Sequence, residues 1–216
     1  MRVSPLLLDS LIVGDDASSW SAAGFTVVDG SVAVGATTIS CAGDDAPPRW
    51  RLRADGGSVP ASVDGIATSM ADADRDAERD LVTPDHPNRV VAIDHVVLAS
   101  PDLDRTTETF AGLGVDCRRI RDVPGSTPAM QQRFFRLGPV ILELVGSPES
   151  SGDGPASIWG LAFTVDDIDA AAAHLGSACG APKSAVQPGR RIATVRTRDL
   201  GISLPVALMS GAPPAR

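Results

Sequence analysis

An internal echo narrows the fold of this chain more than any other feature. The stretch Phe134-Phe135-Arg136-Leu137-Gly138-Pro139-Val140-Ile141-Leu142-Glu143-Leu144-Val145-Gly146 answers Ser31-Val32-Ala33-Val34-Gly35-Ala36-Thr37-Thr38-Ile39-Ser40-Cys41-Ala42-Gly43 far upstream. The copies keep the apolar framework and the glycines, while the polar residues differ: Glu143 stands where the earlier copy has Ser40. A chain made of copies of one small unit must pair them, because a single copy has a sheet face that it cannot bury alone.

The strand that opens each copy repeats as well. Ile93-Asp94-His95-Val96-Val97-Leu98 before Pro101-Asp102-Leu103-Asp104 matches Leu8-Asp9-Ser10-Leu11-Ile12-Val13 before Asp15-Asp16, and Ile158-Trp159-Gly160-Leu161-Ala162-Phe163 before Asp166-Asp167-Ile168-Asp169. In each case a β-rich run meets an acidic turn whose carboxylates suit the free amides and the positive end of a helix start. Short helices are expected over 17–23, 104–113 and 167–175, each stopping near a glycine that can adopt the left-handed conformation. In the clearest copy the pattern predicts strands over 93–99, 115–121, 131–137 and 140–145 around its helix, an order of βαβββ.

The segment from Ala71 to Asn88 is charged and proline-bearing, with no periodic apolar positions, and reads as a linker or exposed helix. The expected organisation is a truncated domain over 1–70, the linker at 71–88, a complete domain over 89–210 made of repeats 91–146 and 156–210, and a tail over 211–216. Trp50-Arg51-Leu52-Arg53 resembles the opening at Trp159, so the truncated domain holds a shortened second copy. The fold class is therefore α+β, with tandem βαβββ units pairing into curled mixed sheets around a cavity. Such a cavity is a natural small-molecule site.

A net charge of −8 and the absence of tyrosine oppose nucleic acid as a partner. No apolar run approaches the roughly 20 residues that cross a bilayer, so no membrane partner is expected. Three widely spaced cysteines, Cys41, Cys117 and Cys179, have no metal-binding or dithiol spacing and fit a reduced, cytoplasmic protein. Phosphate-binding loops and nucleophile elbows are absent.

The openings with His95, the Pro-Asp-Leu-Asp helix start and the Leu-Gly-x-Val-Ile-Leu-Glu-Leu ending with Glu143 resemble the vicinal oxygen chelate superfamily, which includes glyoxalases, dioxygenases, epimerases and bleomycin-binding proteins. The resemblance covers most of the C-terminal two thirds and, more loosely, the first seventy residues. It implies the glyoxalase-like fold and a small oxygen-rich ligand. In metal-dependent members each paired unit supplies one ligand from its first strand and one from its last, positions held here by His95 and Glu143; the resemblance thus implies one divalent ion and lyase, isomerase or dioxygenase chemistry. The second repeat has Gly160 and a position at or next to Ala207, neither able to bind a metal through its side chain. A third ligand would have to come from Gln131 or Gln132, from a carboxylate such as Asp64, or from the second subunit of a homodimer.

Strand parity puts Ile93, His95 and Val97 on one face and Ile141, Glu143 and Val145 on one face, so imidazole and carboxylate can share a cavity. Three readings stay open: a metal site, a metal-free acid/base pair, or a polar pair in a protein that only binds a ligand for sequestration or sensing. A carboxylate inside Val-Ile-Leu-Glu-Leu-Val must be paired, hydrated, metal-bound or neutral, because burying its charge alone is costly. Further ligand-binding candidates are Arg133, Gln131, Arg191 and Trp159: the arginines as grips for an anionic substrate group, each balanced by a surface reading, and Trp159 as a stacking surface balanced by core packing. Of Arg190 and Arg191, alternation sends one toward the pocket. His174, late in its helix, is expected to be exposed and structural, and His86, in the linker with no partner at metal-ligand spacing, is left outside the site.

Overall fold

The computed structural model describes residues 6–54, 58–71 and 84–211. The first copy forms β1 (Leu6–Val13), α1 (Ala17–Ala22), β2 (Ser31–Val34) and β3 (Thr37–Cys41), and the shortened second forms β4 (Arg49–Ala54), β5 (Ser62–Val63) and β6 (Ile66–Met70). Two full βαβββ repeats follow. The third copy is β7 (Val90–Ala99), α2 (Leu103–Gly112), β8 (Arg119–Val123), β9 (Met130–Leu137) and β10 (Val140–Gly146). The fourth is β11 (Ser157–Val165), α3 (Ile168–Leu175), β12 (Lys183–Ser184), β13 (Arg191–Val195) and β14 (Val206–Ser210).

The strands make two mixed sheets, ordered β2-β3-β1-β4-β6-β5 and β12-β13-β14-β11-β7-β10-β9-β8. Each full repeat brings its last strand parallel to its first, β10 on β7 and β14 on β11, with antiparallel strands beyond. No helix among the described residues is long and apolar enough to cross a membrane.

Acidic caps and glycine stops act as the sequence suggests in the two full repeats. The Asp102 carboxylate accepts from the Arg105 amide at 2.9 Å, and Asp167 accepts from Asp169 and Ala170. At the far end of α2, Gly114 takes φ +76°, its amide bonds to the Ala111 carbonyl, and Val115 bonds back to Phe110 at 2.9 Å. This Schellman closure turns buried Val115 into a plug under the helix, so β8 starts at Arg119 rather than at Val115. The first copy differs: Asp16 stands at the start of α1 without a side-chain cap, while its neighbour Asp15 is buried and accepts from Trp20 Nε1 and the Ser203 amide.

The chain forms two compact units. The first gathers Met1–Leu11, Pro48–Arg79 and His95–Trp159; the second gathers Ile12–Pro47, Asp80–Asp94 and Gly160–Arg216. In the first unit, Trp50, Phe110 and Phe135 meet edge-on and tilted in a core with Leu142 and Leu144, all essentially inaccessible. The hairpin turn Asp64-Gly65 locks onto α2 here. Arg105 grips the Asp64 carboxylate at 2.7 Å and the carbonyls of Gly152 and Gly154, and Thr106 donates to the same carboxylate. Gly65, at φ +88°, lies so close to Pro155 that a Cβ would stand 2.2 Å from its ring.

In the second unit, Trp20, Phe25 and Phe163 pack together. Residues 72–83 of the expected linker and 212–216 of the tail lie outside the described residues. The linker's end is built into this core: buried His86 accepts the Thr26 amide on Nδ1 at 3.0 Å and meets the Ala33 carbonyl through Nε2 at 3.0 Å, and Asn88 donates to the Ala23 carbonyl.

Candidate functional site

The site is assembled by register. Parallel pairing sets Ile141 beside His95 and Glu143 beside Val97, while the antiparallel hairpin sets Glu143 beside Phe134 and Val145 beside Gln132. The next strand adds Arg119 beside Phe134 and Arg121 beside Gln132. Directly paired residues project to the same side of a sheet. His95, Glu143, Phe134, Gln132, Arg119 and Arg121 therefore share one face of the first unit, while Leu142, Leu144 and Phe135 fill the other beneath α2.

On that face the polar groups form a chain. His95 Nε2 lies 3.4 Å from Glu143 Oε2, with both side chains largely buried. The other carboxylate oxygen, Oε1, accepts from Gln132 Nε2 at 2.5 Å. Gln132 Oε1 in turn accepts from Arg121, through Nε at 2.7 Å and through a terminal nitrogen. A guanidinium only donates, so Arg121 fixes which end of the Gln132 amide faces it and leaves the NH2 group for Glu143. The Arg121 guanidinium carbon sits 5.7 Å from the centre of the Phe134 ring, a cation over an aromatic face. Burial of the Glu143 carboxylate, 9% exposed, is thus offset by one charge-assisted hydrogen bond and by the imidazole.

The donor set does not fit a resident catalytic divalent ion. Such sites present about three protein ligands with an open position. Among the described residues no group of three His, Cys, Asp or Glu side chains could hold a metal. Gln132 is the near neighbour able to complete the set, and its carbonyl oxygen is committed to Arg121. Asp64 is engaged by Arg105 and Thr106 instead.

The remaining candidates from the sequence lie elsewhere. Gln131 and Arg133 alternate to the helix-covered face, where Arg133 binds Asp104 at 2.7 Å, Thr107 at 2.9 Å and the Leu103 carbonyl, clamping the start of α2. Gln131 bonds Arg133 and Asp122. Arg191 pairs with exposed Asp169 on α3, and each holds the other's charge: the Arg191 guanidinium keeps the Asp169 carboxyl below its usual range. Its neighbour Arg190 is the inward one, bound to Asp94 at 2.5 Å and to the Ser210 carbonyl. Trp159 is 54% exposed, whereas its counterpart Trp50 is buried and bonds Thr68.

In the fourth copy Leu161 pairs with Val206 and Ala162 with Ala207, so Gly160 and Ala207 occupy the places of His95 and Glu143. Neither offers a functional group.

Arg121 is the member that sequence reasoning passes over. The signal for it is the two-residue turn Gly138-Pro139, which pairs Leu137 with Val140. Counting back from there puts Phe134 beside Glu143 and selects Gln132 over Gln131.

Comparison with known proteins follows the same outline. No curated protein matches the chain. Among solved structures, a triple mutant of 4-hydroxymandelate synthase from Streptomyces coelicolor superposes with a TM-score of 0.60 at 15% identity, covering 99% of this chain and 95% of that one. Catechol 2,3-dioxygenase superposes at 0.57 with 12% identity, covering 100% and 90%. Methylmalonyl-CoA epimerase from Mycobacterium tuberculosis has 22% identity over 58% of this chain and 91% of its own, at a TM-score of 0.45. Identities this low speak to the fold alone. The sequence profile agrees with that outline: residues 94–194, the span that holds both His95 and Glu143, match the model of the Glyoxalase/Bleomycin resistance protein/Dioxygenase superfamily.

Proposed function

We propose that the face of the first compact unit binds a small oxygen-rich molecule and that His95 and Glu143 exchange a proton with it, without a resident metal ion. The observation that carries this reading is the 3.4 Å approach of His95 Nε2 to Glu143 Oε2 while Gln132 holds the other carboxylate oxygen. A base held at one oxygen and paired at the other keeps a fixed direction, which is what proton transfer to or from a bound carbon acid needs. In the forward step a C–H bond next to a carbonyl breaks, its proton passes to the pair, and its electrons move onto the carbonyl oxygen as an enolate. Return of the proton to either face gives an isomerase outcome, and loss of a leaving group gives a lyase outcome.

A second reading, ligand sequestration or sensing without chemistry, draws support from Gly160 and Ala207, which leave the fourth copy with nothing to contribute.

The test is hydrogen–deuterium exchange at carbon, followed by NMR in D2O with a panel of 2-oxo acids, alongside metal analysis of protein purified without chelator. Exchange that survives chelator and disappears in both His95→Ala and Glu143→Ala supports the proposal. Exchange that requires an added divalent ion overturns its metal-free part. Binding with no exchange in any panel member leaves the sequestration reading in its place.

A further inference from the structure

The chain as a whole carries a net charge of −8, yet the strands of this face carry the opposite sign. Arg119 and Arg121 stand on β8 and Arg136 on β9, and Glu143 is the one carboxylate the four strands β7, β8, β9 and β10 place on that side. Arg121 is spent on Gln132, and Arg136 donates to the Pro139 carbonyl at 2.8 Å. Arg119 is exposed and has no side-chain partner among the described residues. It lies in the same cross-strand row as Phe134 and Glu143, two strands from the carboxylate, a separation of about 10 Å along the sheet.

Resting on the acid/base reading above, we infer that the ligand is an elongated anion: its carbon acid end meets His95 and Glu143, it passes along Phe134, and a terminal carboxylate or phosphate docks on Arg119. A guanidinium fork with no internal partner, on a locally positive face of an acidic protein, attracts and orients such a group. The same charges repel cationic molecules of equal shape, so the row would set specificity as well as affinity.

The experiment compares 2-oxoadipate with its ω-amide and with an ω-phosphonate of equal chain length. Binding is measured by calorimetry and carbon exchange by NMR, in wild type, Arg119→Gln, Arg119→Lys and Arg119→Glu. Wild type is expected to favour the acid over the amide by about fivefold or more at low salt, a preference that shrinks as salt screens it. That ratio should fall to about one in Arg119→Gln, persist in part in Arg119→Lys and invert in Arg119→Glu. The phosphonate arm tells whether the terminal group is a carboxylate or a phosphate. Equal handling of acid and amide by wild type, a preference that survives in Arg119→Gln, or no binding of either overturns the inference. Binding that follows the predicted ratio with no exchange removes the chemistry of the pair and leaves the anion anchor standing. Because Arg119 is exposed, unchanged melting of the variants separates loss of the anchor from loss of the fold.

Discussion

Replacing Gln132 with leucine keeps nearly the same volume and removes one hydrogen bond from the Glu143 carboxylate, which is 9% exposed. A buried acceptor left without its donor costs the desolvation of that group, about 1.5–3 kcal/mol when the acceptor is charged. Arg121, freed on the other side, is half-buried and can turn toward water, so it adds little. With a urea slope of about 2 kcal/mol per M, the midpoint of the first unit's unfolding should fall by about 0.75–1.5 M at constant slope. Adding Glu143→Leu removes the orphaned carboxylate and should recover much of that loss, because two apolar groups of matching shape replace a polar pair at little net cost. The assay is equilibrium urea unfolding of wild type, the two single variants and the double, read as a mutant cycle. A neutral Gln132→Leu, or a double variant whose loss is the plain sum of the singles, would refute the claim that Gln132 holds Glu143.

Three further outcomes follow from the packing. Burial pushes the His86 pKa below its ordinary value of 6.5, so the folded state binds fewer protons than the unfolded one and stability should drop as pH falls below about 6.5; His86→Asn, whose side-chain oxygen can replace Nδ1 as acceptor for the Thr26 amide, should flatten that dependence in melts between about pH 5 and 8. Gly65→Ala places a methyl group against Pro155 at positive φ and should cost about 2–5 kcal/mol by chemical denaturation, from strain and overpacking together. Burial, with Asp15 and Asp16 adding to it, pushes the Cys41 thiol up to about 11, so iodoacetamide at pH 8 should label it about a hundredfold more slowly than an unperturbed thiol, measured by mass spectrometry of the labelled peptide.

The βαβββ order was legible because apolar alternation and the glycine turns are local signals. Helix starts at Asp102 and Asp167, and the strands around Glu143, fall within a residue or two of where those signals put them. The beginning of β8 was not legible, since Val115 looks like a strand residue and its fate depends on the bond its amide makes to Phe110. His95 and Glu143 were readable as a pair because parity on each strand is fixed by sequence, and parallel register merely brings the two strands together. Arg133 and Gln131 went to the opposite face because parity across a hairpin depends on the turn that sets it. The choice between Arg190 and Arg191 rested on a partner far away in the chain, Asp94, which no local pattern marks.

Each compact unit is sewn from three separate stretches of chain, so the polypeptide changes from one to the other five times between its ends. A protease nick between Arg79 and Asp80 would not release either unit whole, because both resulting fragments carry unfinished parts of each. Evolution of such a molecule by trading modules is correspondingly hard. New specificity is more readily gained by exchanging single side chains, such as those on the sheet row that ends at Arg119, while the threading of the backbone stays as it is.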